Sequence, residues 1–274
     1  MSDTFPLASA ELLQRLQAVY VAHMLAGWET VQAVDQNTYG LDILRLGAAV
    51  ACRSRQLTDV PPFNRAFGLG SLQGVQLDEL LAFCRDEGLT WQADLLPGEL
   101  TPGLARHLAA RGLYQVDFTA MLYGPPTLDF AGPARVAVEE VDPRQPERFI
   151  GLWAEGMSHP VAWRTDLVGL WRHWFQMPGY RLYVAHYDGL PAAIAGLWCH
   201  DGVAEMHAAS TMLEYRGKGC QLALLRQRIA DAAGAGCELI SAQAVFASAG
   251  MRNLERAGLR IACTKAIWRD GPVG

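Results

Sequence analysis

The chain has 274 residues, 51% of them hydrophobic, with 23 Lys and Arg against 28 Asp and Glu and a formal net charge of −5. That is enough apolar content for one large packed domain or two smaller ones, and the acidic balance, without any polybasic block, argues against nucleic acid as a partner. No apolar run approaches the roughly 20 residues of a membrane span, the N-terminal stretch lacks the features of a signal peptide, and the six scattered cysteines form no C-x-x-C pair, so a cytoplasmic protein with reduced thiols and no bound metal is expected.

Apolar residues recur at helical spacing from Ser9 to Gly27 (Leu12, Leu13, Leu16, Val19, Tyr20, His23, Met24), which predicts a helix ending at Gly27. "LDILRLGAAVAC" and "FNRAFGLG" read as strands, "QLDELLAFCRDEG" as a helix, "LTWQADLL" as a strand, "PGLARHLAARG" as a helix and "LYQVDFTAMLY" as a strand. The Pro- and Gly-rich stretch 125–134 reads as a linker, giving an N-terminal half of 1–124 and a C-terminal half of 135–274. Beyond it the expected order is strand "RVAVEEV", helices "PERFIGLWAEGM" and "TDLVGLWRHWFQM", and a strand pair turning at Asp188-Gly189. The strand "VAEMHAAS", the helix "CQLALLRQRIADAAGAG", the strand "CELISAQAV", the helix "AGMRNLERAG" and the strand "LRIACTKAIW" follow.

The two halves echo each other. "HLAARGLYQVDFTAML" falls on "NLERAGLRIACTKAIW" at a constant offset, with Gly112 on Gly258, Leu108 on Leu254 and Leu113 on Leu259. The expected order of elements agrees as well, so we read two related half-proteins.

The most informative stretch is "EYRGKGCQLALL", residues 214–225. A glycine-rich turn against a helix start offers unpartnered amides and the positive end of the helix dipole, and residues without Cβ let a diphosphate approach the backbone. Arg216 and Lys218 add charge. Walker and dinucleotide motifs fail, because Gly219 follows Lys218 and Leu222 stands where a third glycine is needed.

With its preceding strand, "STMLEYRGKGCQLALL" resembles the R-x-x-G-x-G/A pyrophosphate loop of the GCN5-related N-acetyltransferases, and the order of elements from about residue 135 onward is similar to that fold. The resemblance implies an α/β fold in two halves, each a mostly antiparallel sheet flanked by helices, with a degenerate N-terminal copy. It implies acetyl-coenzyme A as cosubstrate, its pyrophosphate on Arg216, Gly217, Lys218, Gly219, Cys220 and Gln221, and its pantetheine along Ala209, Ser210, Thr211, Met212 and Leu213. Asn253 and Arg256, in the helix after the next strand, are placed as further coenzyme contacts, and the partner would be a small amine or peptide, with the protein a monomer or homodimer.

Two residues depart from the pattern. Gln221 replaces a small residue, so its side chain must point away from the ligand or join it. Leu254 stands where the family often has a tyrosine acid. The N-terminal counterpart turn, "GLGSLQGV", has no Arg or Lys, so this half is expected not to bind coenzyme well.

An amine acceptor must lose a proton to attack. Glu205 and His207, two apart on one strand, share a face, and Glu205 is the first choice as base through water; His159, between two helices, is another candidate. Cys220 reads as a packing residue despite its helix start. Trp153, Trp171 and Trp174 read as core, with Trp163 a candidate wall of the acceptor pocket. A non-catalytic acyl-coenzyme A binding module and transfer to a hydroxyl are the alternatives.

Overall fold

A computed structural model describes residues 5–58, 60–85, 89–127, 132–142, 144–157 and 161–270. Along the chain lie α1 (Ala10–Gln32), β1 (Leu41–Leu46), β2 (Ala49–Ser54), β3 (Arg65–Phe67), α2 (Gly74–Cys84), β4 (Gln92–Leu95), α3 (Pro102–Ala110), β5 (Leu113–Gly124) and β6 (Val136–Val141). They are followed by α4 (Glu147–Gly156), α5 (Val161–Trp174), β7 (Tyr180–Tyr187), β8 (Leu190–His200), β9 (Val203–Thr211), α6 (Cys220–Gly234), β10 (Leu239–Val245), α7 (Ala249–Arg256) and β11 (Arg260–Asp270). The helix and strand types follow the sequence reading, with one correction. Gly27 does not end α1, which runs on to Gln32. Met24, Trp28 and Val31 are all buried beyond or beside it, and Trp28 Nε1 donates to Pro62 O at 2.7 Å. That packing outweighs the ~1 kcal/mol a mid-helix glycine costs.

The chain packs as two units. One comprises the residues up to His23 together with Met121–Ala262; the other comprises Met24–Ala120 and the residues from Cys263 on. The divisions therefore fall inside α1, β5 and β11, and each unit takes a terminal segment from the other half of the sequence.

The first unit carries strands in the order β10-β9-β8-β7-β6. β6, β7, β8 and β9 pair antiparallel, while β9 and β10 run parallel. The turns at Asp188-Gly189 and Asp201-Gly202 have both residues at positive φ (49° and 82°, 46° and 70°), the two-residue geometry that matches strand twist. Helices α4 and α6 both pack on this sheet.

The second unit carries strands in the order β1-β2-β3-β4-β11, antiparallel except for β3 with β4. Its core gathers Leu69, Leu80, Trp91, Leu108 and Trp268. Within it lies a charged cluster. Asp94 and Lys265 are both 0% exposed at their side chains and 2.9 Å apart, and Arg65 meets the same carboxylate through Nε at 2.9 Å and Nη2 at 2.8 Å. Burial alone would raise the Asp94 pKa, but Arg65 and Lys265 outweigh it and hold it at about 2. Such a group stabilises the fold above the unfolded carboxylate pKa and loses that contribution as pH falls through the folded one. Lys265→Met is expected to cost about 3 kcal/mol, because it removes one partner of a buried ion cluster. The wild-type advantage over this variant should shrink between about pH 4 and about pH 2, read by urea unfolding at each pH; equal stability of the two proteins at neutral pH would contradict the assignment.

Candidate active site

Strands β9 and β10 pair only from Val203 with Leu239 to Met206 with Ala242, although β9 continues to Thr211 and β10 to Val245. Past that point the two parallel strands no longer bond each other. The cause lies on the other side of β9. Its register against β8 slips by one residue between Gly196–His207 and Ile194–Ser210, and Ala208 in the slip has φ 51°. A β-bulge bends and twists its strand, and a non-glycine residue held at positive φ costs of order 1–3 kcal/mol. The strand is therefore turned away from β10 just where its backbone is left without a partner.

The glycine turn lies at the end of this opening. Gly219, at φ 86°, caps α6 without any side-chain hydrogen bond, and Gly217 has φ 76°. A Cβ on Gly219 would lie 3.0 Å from Pro133 Cβ and Cγ, whereas one on Gly217 would meet nothing within 4 Å. The amides of Gly217, Gly219, Cys220, Gln221 and Leu222 reach no backbone carbonyl among the described residues. Arg216 bonds Thr211 O at 3.3 Å and Gly156 O at 3.2 Å, tying the turn to the ends of β9 and α4. Lys218 Nζ sits 5.0 Å above the rings of both Tyr187 and Tyr215. Gln221, the departure from the motif, points away from the turn: its Nε2 donates to Ser210 O at 2.8 Å, Thr211 Oγ1 at 3.0 Å and Ile194 O at 3.3 Å. Its side chain thus braces the bulged strand. Cys220 is buried, and burial raises its pKa despite the helix start, as a packing residue requires.

Glu205 and His207 share one face of β9 and are brought together with residues that the sequence left unassigned. Cross-strand neighbours on that face are Tyr180 and Trp198. The Tyr180 ring lies over Gly196, where a Cβ would be 3.0 Å from its Cε1, and its hydroxyl reaches His207 Nδ1. Burial, then the charge of Glu205, push the Tyr180 pKa well above 10. Burial, then His23 and Arg228, push that of His207 well below 6.5. Both shifts favour the neutral forms, a phenol and an uncharged imidazole; taking the phenol, whose oxygen is also hydrogen-bonded with Trp174, as the donor to Nδ1 puts the ring hydrogen of His207 on Nε2. Arg228 reaches across from α6 to Gly196 O at 3.2 Å.

The remaining candidates divide. His159 lies outside the described residues, as does the side chain of Trp163. Trp171 and Trp174 are buried and ring-packed against each other at 5.3 Å, with Trp153 5.0 Å from Trp171. Asn253 and Arg256 lie on α7, where Arg256 Nη1 approaches Asn253 Oδ1 at 3.4 Å, and Leu254 is buried between them.

No protein-family model matches the chain, and no curated protein matches it either. Solved structures do. A GCN5-related N-acetyltransferase from Kribbella flavida superposes with a TM-score of 0.61 at 19% identity, covering 93% of this chain and 96% of its own. A tandem GNAT protein from the clavulanic acid biosynthesis pathway gives 0.58 at 17% identity, covering 98% and 99%. The chain has the fold of the tandem GCN5-related N-acetyltransferases. A third such acetyltransferase, from Sphaerobacter thermophilus, gives 0.57 at 15% identity over 98% and 96%. A protein of unknown function from Staphylococcus epidermidis gives 0.62 at 8%, so this acetyltransferase fold is carried by very different sequences.

Sequence reasoning missed Tyr180, Arg228 and His23. The signal for His23 was present, since it is the one histidine in the apolar series of α1. Tyr180 carried none, because only the sheet register sets it across from β9. In long-range 15N spectra at neutral pH and somewhat below the ordinary histidine pKa, His207 is expected to read as a neutral, Nε2-protonated ring. Tyr180→Phe should abolish that tautomer preference and cost about 1–3 kcal/mol by leaving a buried acceptor unmet. A His207 ring titrating near its ordinary pKa would contradict this geometry.

Proposed function

We propose that the unit holding β9 and β10 transfers an acetyl group from acetyl-coenzyme A to a primary amine. The observation that carries this reading is the paired feature just described: two parallel strands that separate at a bulge, and an amide-lined, basic glycine turn at the end of the gap. The turn from Arg216 to Gln221 would hold the diphosphate, with Lys218 as charge. The open edge from Ala209 to Leu213 would hold the extended pantetheine through backbone bonds, and one of its amides would stabilise the developing oxyanion. Asn253 and Arg256 would add contacts from α7.

The attacking amine must be neutral. As its nitrogen bonds the thioester carbon, the C–S electron pair leaves on sulfur, one amine proton passes through water to Glu205, and the sulfur takes a proton from solvent. Glu205, 1% exposed, is the carboxylate on the right face for that role. The acceptor is a small molecule or peptide, and we take the protein to act in the cytoplasm as a monomer or homodimer. One site per chain is expected, because the counterpart turn in the second unit has no Arg or Lys and is closed at its first two glycines: a Cβ on Gly68 would lie 2.7 Å from Ala48 O, and one on Gly70 2.7 Å from Glu99 Cβ, with only Gly74 of that turn facing open space.

A non-catalytic acyl-coenzyme A module is the second reading, favoured by buried Leu254 at the position of the family's tyrosine. Thiol release from acetyl-coenzyme A in the presence of amines separates the two.

Calorimetry is expected to give one acetyl-coenzyme A per chain. Gly219→Val should abolish that binding with the circular dichroism unchanged, since a β-branched residue strains positive φ and crowds both Pro133 and the backbone approach; normal binding would displace the diphosphate site. Glu205→Gln should lower kcat by about 10² with coenzyme affinity nearly constant. A raised amine KM at constant kcat would make Glu205 a positioning residue, and unchanged constants would remove it from the chemistry.

A further inference from the structure

His23 comes from α1, far upstream of the glycine turn, yet it packs on the face of β9 that carries Glu205 and His207. Its ring is 4.1 Å from that of His207, 5.4 Å from Trp198, 5.6 Å from Trp174 and 5.8 Å from Tyr180. It is 4% exposed, and neither ring nitrogen has a hydrogen-bond partner. Burial lowers its pKa to about 3, so the ring is neutral, with one N–H and one bare lone pair, both unmet. Two such buried polar atoms left without partners destabilise the fold, a cost that a phenylalanine among the same aromatic rings would avoid. A group kept at that cost, in contact with the proposed catalytic face, points to a ligand.

The neighbouring imidazole narrows what that ligand is. With the phenol of Tyr180 as donor to His207 Nδ1, the hydrogen of His207 lies on Nε2, which is also unpartnered. Of the two rings, His23 is the one with a lone pair to offer. His207 stands one residue beyond the last β9–β10 pair, at the mouth of the gap.

We propose that His23 accepts a hydrogen bond from the acceptor's uncharged amine and orients its nitrogen toward the thioester, with the Nε2–H of His207 as the neighbouring donor. This rests on the acetyltransferase reading. The burial that keeps both rings neutral also disfavours an ammonium ion, so the site selects the form of the amine that can attack. When the C–N bond forms and the C–S pair leaves on sulfur, the amine proton goes to Glu205, because a ring so buried is too weak a base to keep it.

The test uses the full chain with His23→Phe and His23→Asn. Thermal melting, acetyl-coenzyme A affinity and thiol release are measured with benzylamine, spermidine and amino-acid amides as acceptors. His23→Phe is expected to melt at or above the wild-type temperature, to bind acetyl-coenzyme A normally, and to raise KM for the best amine by about tenfold or more, with His23→Asn recovering part of the loss. A His23→Phe protein that melts several degrees lower would show the ring to be a structural polar group and overturn the proposal. So would unchanged amine kinetics beside an active wild type. A wild type that acetylates none of these amines would sink the acetyltransferase reading itself, and this inference with it.

Discussion

Two parallel strands that begin side by side and then part are the constraint on which the site depends. The paired stretch, Val203–Met206 against Leu239–Ala242, is buried, whereas the separated stretch is largely half-buried or exposed, so its free backbone groups forgo the ladder but can be met by solvent or by a ligand. The chain maintains the gap by fixing β9 from its other side. The slipped register against β8, the positive φ of Ala208 and the three contacts of the Gln221 amide to Ser210, Thr211 and Ile194 all act on the same few residues. Gly156 belongs to the same arrangement: a Cβ there would overlap the Ser210 hydroxyl, at 1.9 Å, so only glycine lets the end of α4 lie against the bulged strand. The opening is thus built by neighbouring packing and does not require a ligand to hold it apart.

Burial sets the chemistry of the face beside that opening. Glu205, Tyr180, His23 and Arg228 are all buried, and in such surroundings charge is disfavoured unless matched. The consequence is a division of labour among residues of similar chemistry. Tyr180 keeps its proton and fixes the tautomer of His207, His207 is left with a donor, and His23 is left with both of its functions unmet. A solvent-exposed pair of histidines at the same spacing would titrate near neutrality and offer no such fixed donor and acceptor.

The sequence made the order of elements and the glycine turn legible because both rest on local rules: apolar periodicity, positive-φ glycines and helix starts. Glu205 and His207 were legible as a pair because strand alternation puts residues two apart on one face. What it could not reveal were contacts set by register. That Tyr180 lies across from β9 follows only once β7, β8 and β9 are aligned, and that Gly196 makes room for its ring is a property of two strands at once. The extent of α1 was misjudged at Gly27 for the same reason, since Trp28 and Val31 owe their burial to elements distant in sequence. Gln221 is legible as a departure from the motif, but its brace on Ser210 depends on where the bulge carries β9.

The two glycine turns make a controlled comparison within one chain. Gly68 and Gly219 both hold left-handed backbone, with φ of 74° and 86°, and each caps a helical turn without a side-chain bond. The backbone hand is shared, but Gly68 opens a 3-10 turn of 3 residues and Gly219 an α-helix of 15, and the space in front of the two turns differs as well. Gly217 faces open space, with Arg216 and Lys218 beside it and Gly219 against the Pro133 ring, while Gly68 and Gly70 are closed in by backbone at Ala48 and by Glu99, leaving only Gly74 of that turn open. Nearby, Glu99 accepts from the Leu96 amide at 2.8 Å, an internal carboxylate in the region where a phosphate would have to sit. Negative charge and filled volume both oppose a diphosphate there, and the interior of that unit is organised around Asp94 and Lys265 instead. A glycine turn at a helix start is a necessary part of such a site; the emptiness before it and the sign of the charge beside it decide whether it can bind.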